Sequence, residues 1–112
     1  VTSYGGQKVL DDYGVVGPAK AAVESLTRSL AVELAEKGIM VNGVMPGIAD
    51  TKSFRAIPNA EGVLSYAKER TPTNSLVTTE QVGNIVAFLC SKESDMINGQ
   101  FIIVDGGAFI RG

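Results

Sequence analysis

Tyr13 and Lys20 are the side chains of this sequence best suited to proton chemistry. A lysine ammonium near a phenol stabilises the phenolate, so the phenol releases its proton more readily near neutral pH. Seven residues of helix make almost two turns, which places the two side chains on one face about 10 Å apart along the axis. A ligand that bridges both groups therefore fits this spacing better than direct contact between them.

Two other segments are candidates for the same site. Residues 46–51, PGIADT, directly follow a short apolar run, so they lie at the carboxyl end of a predicted buried strand. Ligands bind at that end of the strands in open α/β sheets. Pro46 and Gly47 turn the chain, and its backbone N–H groups together with Thr51 are suited to a polar ligand. Ser3, at the end of another predicted strand, would face the same crevice.

Each candidate also has an ordinary structural interpretation. Lys20 is either a functional group or a solvated surface lysine paired with Glu24. A cation in the first turn of a helix opposes the helix dipole, which favours the functional interpretation of Lys20. Ser3 is otherwise a turn serine. In residues 46–51, Asp50 or Thr51 is otherwise the cap of the next helix.

The elements that position these residues follow from the hydrophobic pattern. It predicts, in order, a strand tail (1–3), a long helix (17–37), a strand (39–47), a helical excursion (48–77), a helix beginning at Thr78 and a final strand (99–107). Thr78 and Gln81 form a predicted capping box. This alternation predicts an α/β fold, the C-terminal half of a doubly wound, Rossmann-like parallel sheet whose strands are buried on both faces.

The long helix has clear signals at both ends. Pro18 suits a first helical turn, where its missing N–H is not needed, and Gly38 is a typical residue just beyond a helix. Between them a leucine recurs every fourth position, which predicts an apolar stripe formed by Leu26, Leu30 and Leu34. Glu24 precedes Arg28 by four residues, the favourable order for an ion pair.

Composition excludes several functional classes. The chain has 112 residues, 45% of them apolar and 20% charged, with a net charge of -2, which gives no reason to expect a nucleic-acid partner. The absence of histidine excludes histidine triads and histidine metal ligands, and we expect no metal site. No apolar run is long enough for a membrane span, and the single cysteine, Cys90, predicted to be buried in its helix, favours a reducing, cytoplasmic location. The sequence begins at Val1, and we expect a fragment.

The combined motifs resemble the short-chain dehydrogenase/reductase family over nearly the whole chain. The supporting segments are AKAAVESLTRSLAVELAEKGIMVNGVMPGIADT and GQFIIVDGG. Most members of that family carry Tyr-x-x-x-Lys, but here Val16 occupies that tyrosine position and the spacing is Tyr-x6-Lys. This longer spacing is similar to that of the enoyl-acyl-carrier-protein reductases, and the segment before the helix particularly resembles their type III form in bacilli.

The resemblance implies an NADPH- or NADH-dependent oxidoreductase that reduces the trans-2 double bond of enoyl thioesters in fatty acid synthesis. Tyr13 would donate a hydrogen bond or proton to the thioester oxygen, and Lys20 would bind the nicotinamide ribose. Ser3 would support Tyr13. Besides Lys20, the resemblance implies three cofactor-binding residues. Gly47 and Ile48 would bind through their backbone, and Thr51 through its side chain.

The substrate side of the site is also given by the resemblance. Residues 50–76 would form a lid over the acyl chain, with Tyr4, Phe54 and Tyr66 in contact with substrate, although Phe54 and Tyr66 are equally suited to a core. The expected partners are an acyl-carrier-protein or CoA enoyl thioester and further copies of the chain in a dimer or tetramer.

One feature of the family is absent from the sequence. No G-x-G-x-x-G dinucleotide loop occurs, so residues 1–112 represent the catalytic half of one domain, and we expect them to bind cofactor weakly and turn over little alone. Two alternatives remain open. One is a 3-oxoacyl or other carbonyl reductase of the same fold. The other is a non-catalytic assembly module that packs through the small residues Ala19, Ala22 and Ser25.

Overall fold

The chain forms an α/β unit in which two parallel strands are flanked by helices. The computed structural model describes residues 1–111. Its helices are α1 (Val16–Ala35), α2 (Ala60–Arg70) and α3 (Thr79–Leu89), its strands are β1 (Gly43–Pro46) and β2 (Phe101–Val104), and single 3-10 turns lie at Tyr4–Gly6, Phe54–Ala56 and Lys92–Ser94. The order of elements agrees with the alternation read from the sequence.

The sheet is parallel, as predicted, with Gly43 opposite Phe101 and Pro46 opposite Val104. On the other edge of β1, the Thr2 N–H donates to the Val44 carbonyl oxygen at 2.9 Å. The first residues therefore lie alongside β1 as the predicted strand tail, although this single bond does not make them a regular strand.

The strands are shorter and less buried than the sequence predicted. β1 begins at Gly43 rather than residue 39 because the chain before it bonds to a loop. The Val41 N–H donates to Asn98 Oδ1 at 2.9 Å, and Asn42 Nδ2 donates to the Ile97 carbonyl at 2.6 Å. β2 is covered only in part by the described residues, with Ile103 39% exposed, so the prediction of burial on both faces is wrong for this strand.

Helix α1 begins one residue earlier than predicted. The Gly17 N–H donates to the Tyr13 carbonyl at 2.8 Å, which starts the helical hydrogen bonding before Pro18. Lys20 is therefore the fifth helical residue and lies beyond the first turn, where the helix dipole acts most strongly. The dipole thus gives no reason to prefer a functional interpretation of Lys20. The helix ends at Ala35, two residues before the predicted end, and Gly38 then adopts the expected left-handed conformation, with a φ of 73°, while the Ile39 N–H donates to the Leu34 carbonyl.

The buried face of α1 is not its leucine stripe. Its buried residues are Gly17, Glu24, Thr27 and Ala31. Leu26 is 57% exposed, and the small residues Ala19, Ala22 and Ser25 also face solvent. Periodicity located an apolar face of the helix, but the described residues leave Leu26 exposed and cover Leu30 and Leu34 only in part.

The core is small and centres on β1. Its buried apolar residues are Ala31, Val44, Met45, Ala60 and Leu64. Helix α3 begins with the predicted capping box, since Gln81 N donates to Thr78 Oγ1 and Thr78 N donates to Gln81 Oε1. Cys90 follows α3 and is exposed, so its predicted burial is wrong. In the described part of the chain, no helix has both the length and the apolar character needed to cross a bilayer.

Candidate functional site

Ser3 and Tyr13, two of the predicted catalytic residues, lie in direct contact. The Ser3 Oγ and Tyr13 Oη atoms are 3.0 Å apart, and either hydroxyl can be the donor. Ser3 has an extended backbone, with φ of -154° and ψ of 166°, and Tyr13 is half-buried just before α1. A phenol hydrogen-bonded to a second hydroxyl can pass on a proton while keeping a fixed orientation.

The Tyr13 ring is positioned by glycines. A Cβ atom on Gly5 would overlap the Tyr13 ring, and one on Gly17 would lie 2.7 Å from the Gly5 carbonyl oxygen. Together with the bond from the Gly17 N–H to the Tyr13 carbonyl, this packing fixes Tyr13 at the start of α1. This role of Gly5 was not predicted, and the Gly5-Gly6 pair is the one feature of the local sequence that indicates a close approach.

Lys20 approaches the same N-terminal segment as Tyr13. Its Nζ donates to the Val1 carbonyl at 3.4 Å, two residues before Ser3. It does not pair with Glu24, because that buried carboxylate accepts from Thr2 Oγ1 at 2.7 Å and Gln7 Nε2 at 2.9 Å. The proposed Lys20–Glu24 and Glu24–Arg28 pairings are therefore both wrong.

Four other predicted site residues line one cavity at the carboxyl ends of β1 and β2. The cavity has a volume of about 160 Å³, and its walls include Tyr4, Gly47, Ile48 and Tyr66. Most of the remaining wall is apolar, formed by Ala67, Leu76, Val77 and Ala108. An apolar cavity near 150 Å³ accommodates benzene, so this one has room for about six carbon atoms.

Gly47 and Ile48 differ in what their backbone can offer a ligand. The Gly47 N–H donates to the Val104 carbonyl at 2.9 Å, so it is not free to bind cofactor as predicted. Gly47 instead allows close approach, since a Cβ there would lie 2.9 Å from the Asp105 Cβ. Within residues 1–111, the Ile48 N–H donates to no acceptor and remains suited to a ligand.

Thr51 and Phe54 lie at the start of the predicted lid. Thr51 Oγ1 accepts a hydrogen bond from the Phe54 N–H at 3.2 Å, so Thr51 caps this turn, which was its structural alternative. Phe54 is half-buried and lies outside the cavity that contains Tyr66. The Arg55 guanidinium bonds both carboxylate oxygens of Asp50 and holds the pKa of that carboxyl below its ordinary value.

Asp105 joins the cavity to the N-terminal segment. Its carboxylate accepts from the Tyr4 hydroxyl, from the Gly107 N–H at 2.8 Å and from the Phe109 N–H at 2.6 Å. Burial would raise the pKa of Asp105, but these hydrogen bonds and the Lys8 charge outweigh it and leave the pKa below its ordinary value. The sequence pattern placed this residue only within the predicted final strand (99–107).

The Tyr4 hydroxyl is correspondingly hard to ionise. Burial, the hydrogen bond to Asp105 and the charge of that carboxylate all raise the pKa of Tyr4 well above its ordinary value. The Tyr4 ring packs against Phe109 with centroids 5.1 Å apart, and Lys8 Nζ lies 4.1 Å above the Phe109 ring. Tyr4 therefore offers the cavity its ring, while its hydroxyl is held by Asp105.

The Asp105 interactions predict a pH-dependent contribution to stability. Because the pKa of Asp105 is lower in the folded than in the unfolded chain, its ionised carboxyl stabilises the fold at pH values above the unfolded pKa of about 4. This contribution is lost as pH falls through the folded pKa. The raised pKa of Tyr4 acts oppositely, giving stability below about pH 10 that is lost as pH rises. We expect Asp105→Asn to lower the melting temperature at pH 7, and the gap to wild type to shrink below pH 4. Thermal unfolding from pH 3 to pH 8 checks this, and a gap independent of pH would contradict it.

Comparison with known proteins gives a consistent result. The profile described as enoyl-(acyl carrier protein) reductase matches residues 1–108. Over 92% of its length the chain is 43% identical to enoyl-acyl-carrier-protein reductase (NADH) FabI from Buchnera aphidicola, and over its whole length it is 39% identical to FabI from Synechocystis. It spans only 40% and 43% of these two relatives. Because both carry the FabI name, the narrower resemblance to type III enzymes stays a prediction.

A solved structure extends the comparison to the fold. The enoyl-acyl carrier protein reductase of Bacillus cereus, solved with NADP+ and indole naphthyridinone, superimposes with a TM-score of 0.94 at 35% identity, covering 99% of this chain and 43% of that one. This agreement confirms the predicted α/β, Rossmann-like fold. With the match to residues 1–108, it shows that the chain belongs to the enoyl-(acyl carrier protein) reductase family.

Proposed function

We propose that this chain supplies the catalytic half of an NADPH- or NADH-dependent enoyl-thioester reductase of fatty acid synthesis. The observation that carries the proposal is the contact of Tyr13 with Ser3, beside a segment that Lys20 also reaches. The Tyr-x6-Lys spacing supports reduction of a double bond rather than a carbonyl. Family membership agrees with this activity, which would belong to the whole protein.

The residues present fit the nicotinamide end of a dinucleotide. The Lys20 ammonium can donate to ribose hydroxyls, and the Ile48 N–H and the Thr51 hydroxyl proton can donate to carboxamide or phosphate oxygens. When bound, the nicotinamide supplies the hydride. The sequence has no Gly-rich loop for the pyrophosphate, so we propose that residues 1–112 form one half of a domain and bind cofactor weakly alone.

Tyr13 would stabilise the charge that develops during reduction. As the β-carbon of the enoyl thioester gains hydride, negative charge moves onto the thioester oxygen. A hydrogen bond from Tyr13 to that oxygen strengthens as the charge grows, which is the source of the rate enhancement. Ser3 Oγ lies 3.0 Å from the phenol hydroxyl, so it can hold that hydroxyl in place and exchange a proton with it.

The cavity lined by Tyr4 and Tyr66, which Ser3, Tyr13 and Lys20 do not line, is suited to the acyl chain. Its walls are mainly apolar, and Tyr66 and the ring of Tyr4 contribute to them. We propose residues 50–76 as the lid, since they include the Thr51-capped turn and the whole of α2. Phe54 would reach substrate only if that lid moves, because it lies outside the cavity.

We also propose the partners and location implied by this activity. The substrate would be an acyl-carrier-protein or CoA enoyl thioester in the cytoplasm. The exposed face of α1, with Leu26 and its small residues, would pack against another copy of the chain in a dimer or tetramer. That same face is what favours the alternative of a non-catalytic assembly module.

Substrate preference tests the proposal against a carbonyl reductase of the same fold. The chain can replace the matching segment of the Bacillus cereus relative, giving what we call the hybrid reductase. We expect the hybrid reductase to oxidise NADPH or NADH with a crotonyl thioester and to prefer it over an acetoacetyl thioester by kcat/KM. Preference for acetoacetyl would overturn the proposal, and a folded, cofactor-binding hybrid without either activity would favour the assembly module.

A further inference from the structure

The residues on either side of Ser3 are both held by buried carboxylates. Thr2 Oγ1 donates to Glu24 Oε1 at 2.7 Å, and the Tyr4 hydroxyl donates to Asp105 Oδ2. Glu24 is 4% exposed and Asp105 is 9% exposed. Because a buried carboxylate needs hydrogen-bond donors, each of these bonds strongly favours one position of the residue that donates it.

The two carboxylates reach the segment from distant parts of the chain. Glu24 comes from α1 and also accepts from Gln7 Nε2 at 2.9 Å, which ties down the far end of the Tyr4–Gly6 turn. A Cβ on Gly6 would lie 2.7 Å from Glu24 Oε1, so the backbone passes close against the carboxylate. Asp105 comes from the end of β2 and is fixed by two backbone N–H groups.

The backbone between the two anchors determines where Ser3 points. Ser3 has an extended backbone directly before the Tyr4–Gly6 turn, and the side chain of an extended residue points away from that of the residue before it. With Thr2 and Tyr4 held toward the carboxylates, the Ser3 side chain is directed to the other face, where Tyr13 Oη lies 3.0 Å from it. Loss of either anchor would let the segment rotate and break this contact.

We propose that Glu24 and Asp105 are positioning residues, which hold Thr2 and Tyr4 on either side of Ser3 and thereby fix the Ser3 hydroxyl against Tyr13. Neither carboxylate contacts the Tyr13 hydroxyl. Their importance for catalysis rests on the proposed function, but the geometry itself can be tested without any activity. Nothing in the sequence pattern around Ser3 indicates this arrangement, because the two carboxylates are 21 and 102 positions away.

Nuclear magnetic resonance of the hybrid reductase, with tyrosine labelled at Cζ, tests the proposal directly. The Cζ chemical shift of a tyrosine reports the hydrogen bond of its hydroxyl, and Ser3→Ala defines the shift for loss of the Ser3 contact. We expect Thr2→Val and Tyr4→Phe each to move the Tyr13 resonance by about half or more of that shift, and Thr2→Ser to restore it. In the Ser3→Ala background the same two changes should hardly move the Tyr13 resonance further, because the effects of coupled residues are not additive.

A matched control separates positioning from loss of stability. Thr27 is a buried threonine of α1, and its hydroxyl donates to the Val23 carbonyl of the same helix at 2.9 Å rather than to the Ser3 segment. Thr27→Val should leave the Tyr13 resonance unchanged. The proposal is overturned if Thr2→Val and Tyr4→Phe leave the Tyr13 resonance in place, or if both unfold the chain, because the anchors act locally on the segment.

The hybrid reductase provides a second readout that distinguishes this inference from the proposed function. Thr2→Val should lower kcat about tenfold in the wild-type background and less than twofold after Ser3→Ala. If the hybrid reductase lacks enoyl activity but the resonance pattern holds, the proposed function fails and the positioning role stands. If activity is present and the kcat effects multiply independently, the positioning role fails alone.

Discussion

Replacing Tyr13 by phenylalanine in the hybrid reductase is expected to lower kcat for crotonyl thioester by about 10² to 10³-fold. Removing one preorganised donor to a developing oxyanion typically has an effect of this size. KM for the cofactor should change little, because Tyr13 acts on the substrate oxygen. Steady-state kinetics with crotonyl thioester and NADPH or NADH measures both parameters.

The fold should tolerate this change, which makes the result interpretable. The Tyr13 hydroxyl contacts Ser3, whereas the ring packs against Gly5, and phenylalanine keeps the ring. We expect the melting temperature of Tyr13→Phe to stay within a few degrees of wild type. A folded variant that keeps more than about a third of wild-type kcat would mean that another group stabilises the oxyanion.

Replacing Lys20 by methionine is expected to have the second large effect, mainly on the cofactor. Methionine keeps the length and apolar stem of the side chain but removes the ammonium that would bind the ribose. Loss of hydrogen bonds from a charged group, at about 1.5–3 kcal/mol, predicts a 10 to 10²-fold rise in KM or Kd for NADPH or NADH. Fluorescence titration of the cofactor measures this directly.

Lys37 provides the matched control for Lys20. It is an exposed lysine just beyond the end of α1, so Lys37→Met removes the same charge far from Ser3. We expect its cofactor affinity to equal that of wild type. If both variants weaken cofactor binding equally, the effect of Lys20 comes from net charge alone. That result would contradict its assignment to the ribose.

Sequence patterns predicted the elements well where the cause was local. The capping box of Thr78 and Gln81 and the left-handed Gly38 depend on residues three or four positions apart, and the structure has both. The start of β1 was misplaced because Val41 and Asn42 bond to a loop more than fifty residues away. Helical periodicity also revealed that Leu26 lies on an apolar face, but not that this face would be exposed.

The site was predictable only in part, because some of its contacts join residues that are far apart in the sequence. Spacing and resemblance identified Ser3 and Tyr13, and the structure brings their hydroxyls together. The contact of Tyr4 with Asp105 joins residues 101 positions apart, and no local pattern announces it. Glu24 was misread because its spacing from Arg28 suits an ion pair on a helix, whereas its burial directs it to Thr2.

The glycines show a second limit of reading a sequence. Gly47 was assigned to cofactor binding because it follows a strand, where free N–H groups are common. Its N–H is in fact used by the sheet, and its lack of a side chain is what lets Asp105 approach. A glycine next to a strand end can therefore signal close packing as readily as a ligand, and only the three-dimensional contacts distinguish the two.

The destination of the hydride tests the central claim most directly. The hybrid reductase can be given a crotonyl thioester with cofactor deuterated at the transferable position of the nicotinamide, and the product analysed by mass spectrometry and deuterium NMR. Reduction of the double bond predicts a saturated butyryl thioester with one deuterium on the β-carbon. An unchanged crotonyl thioester, together with deuterium on the carbinol carbon of 3-hydroxybutyryl thioester when acetoacetyl thioester is supplied, would contradict it.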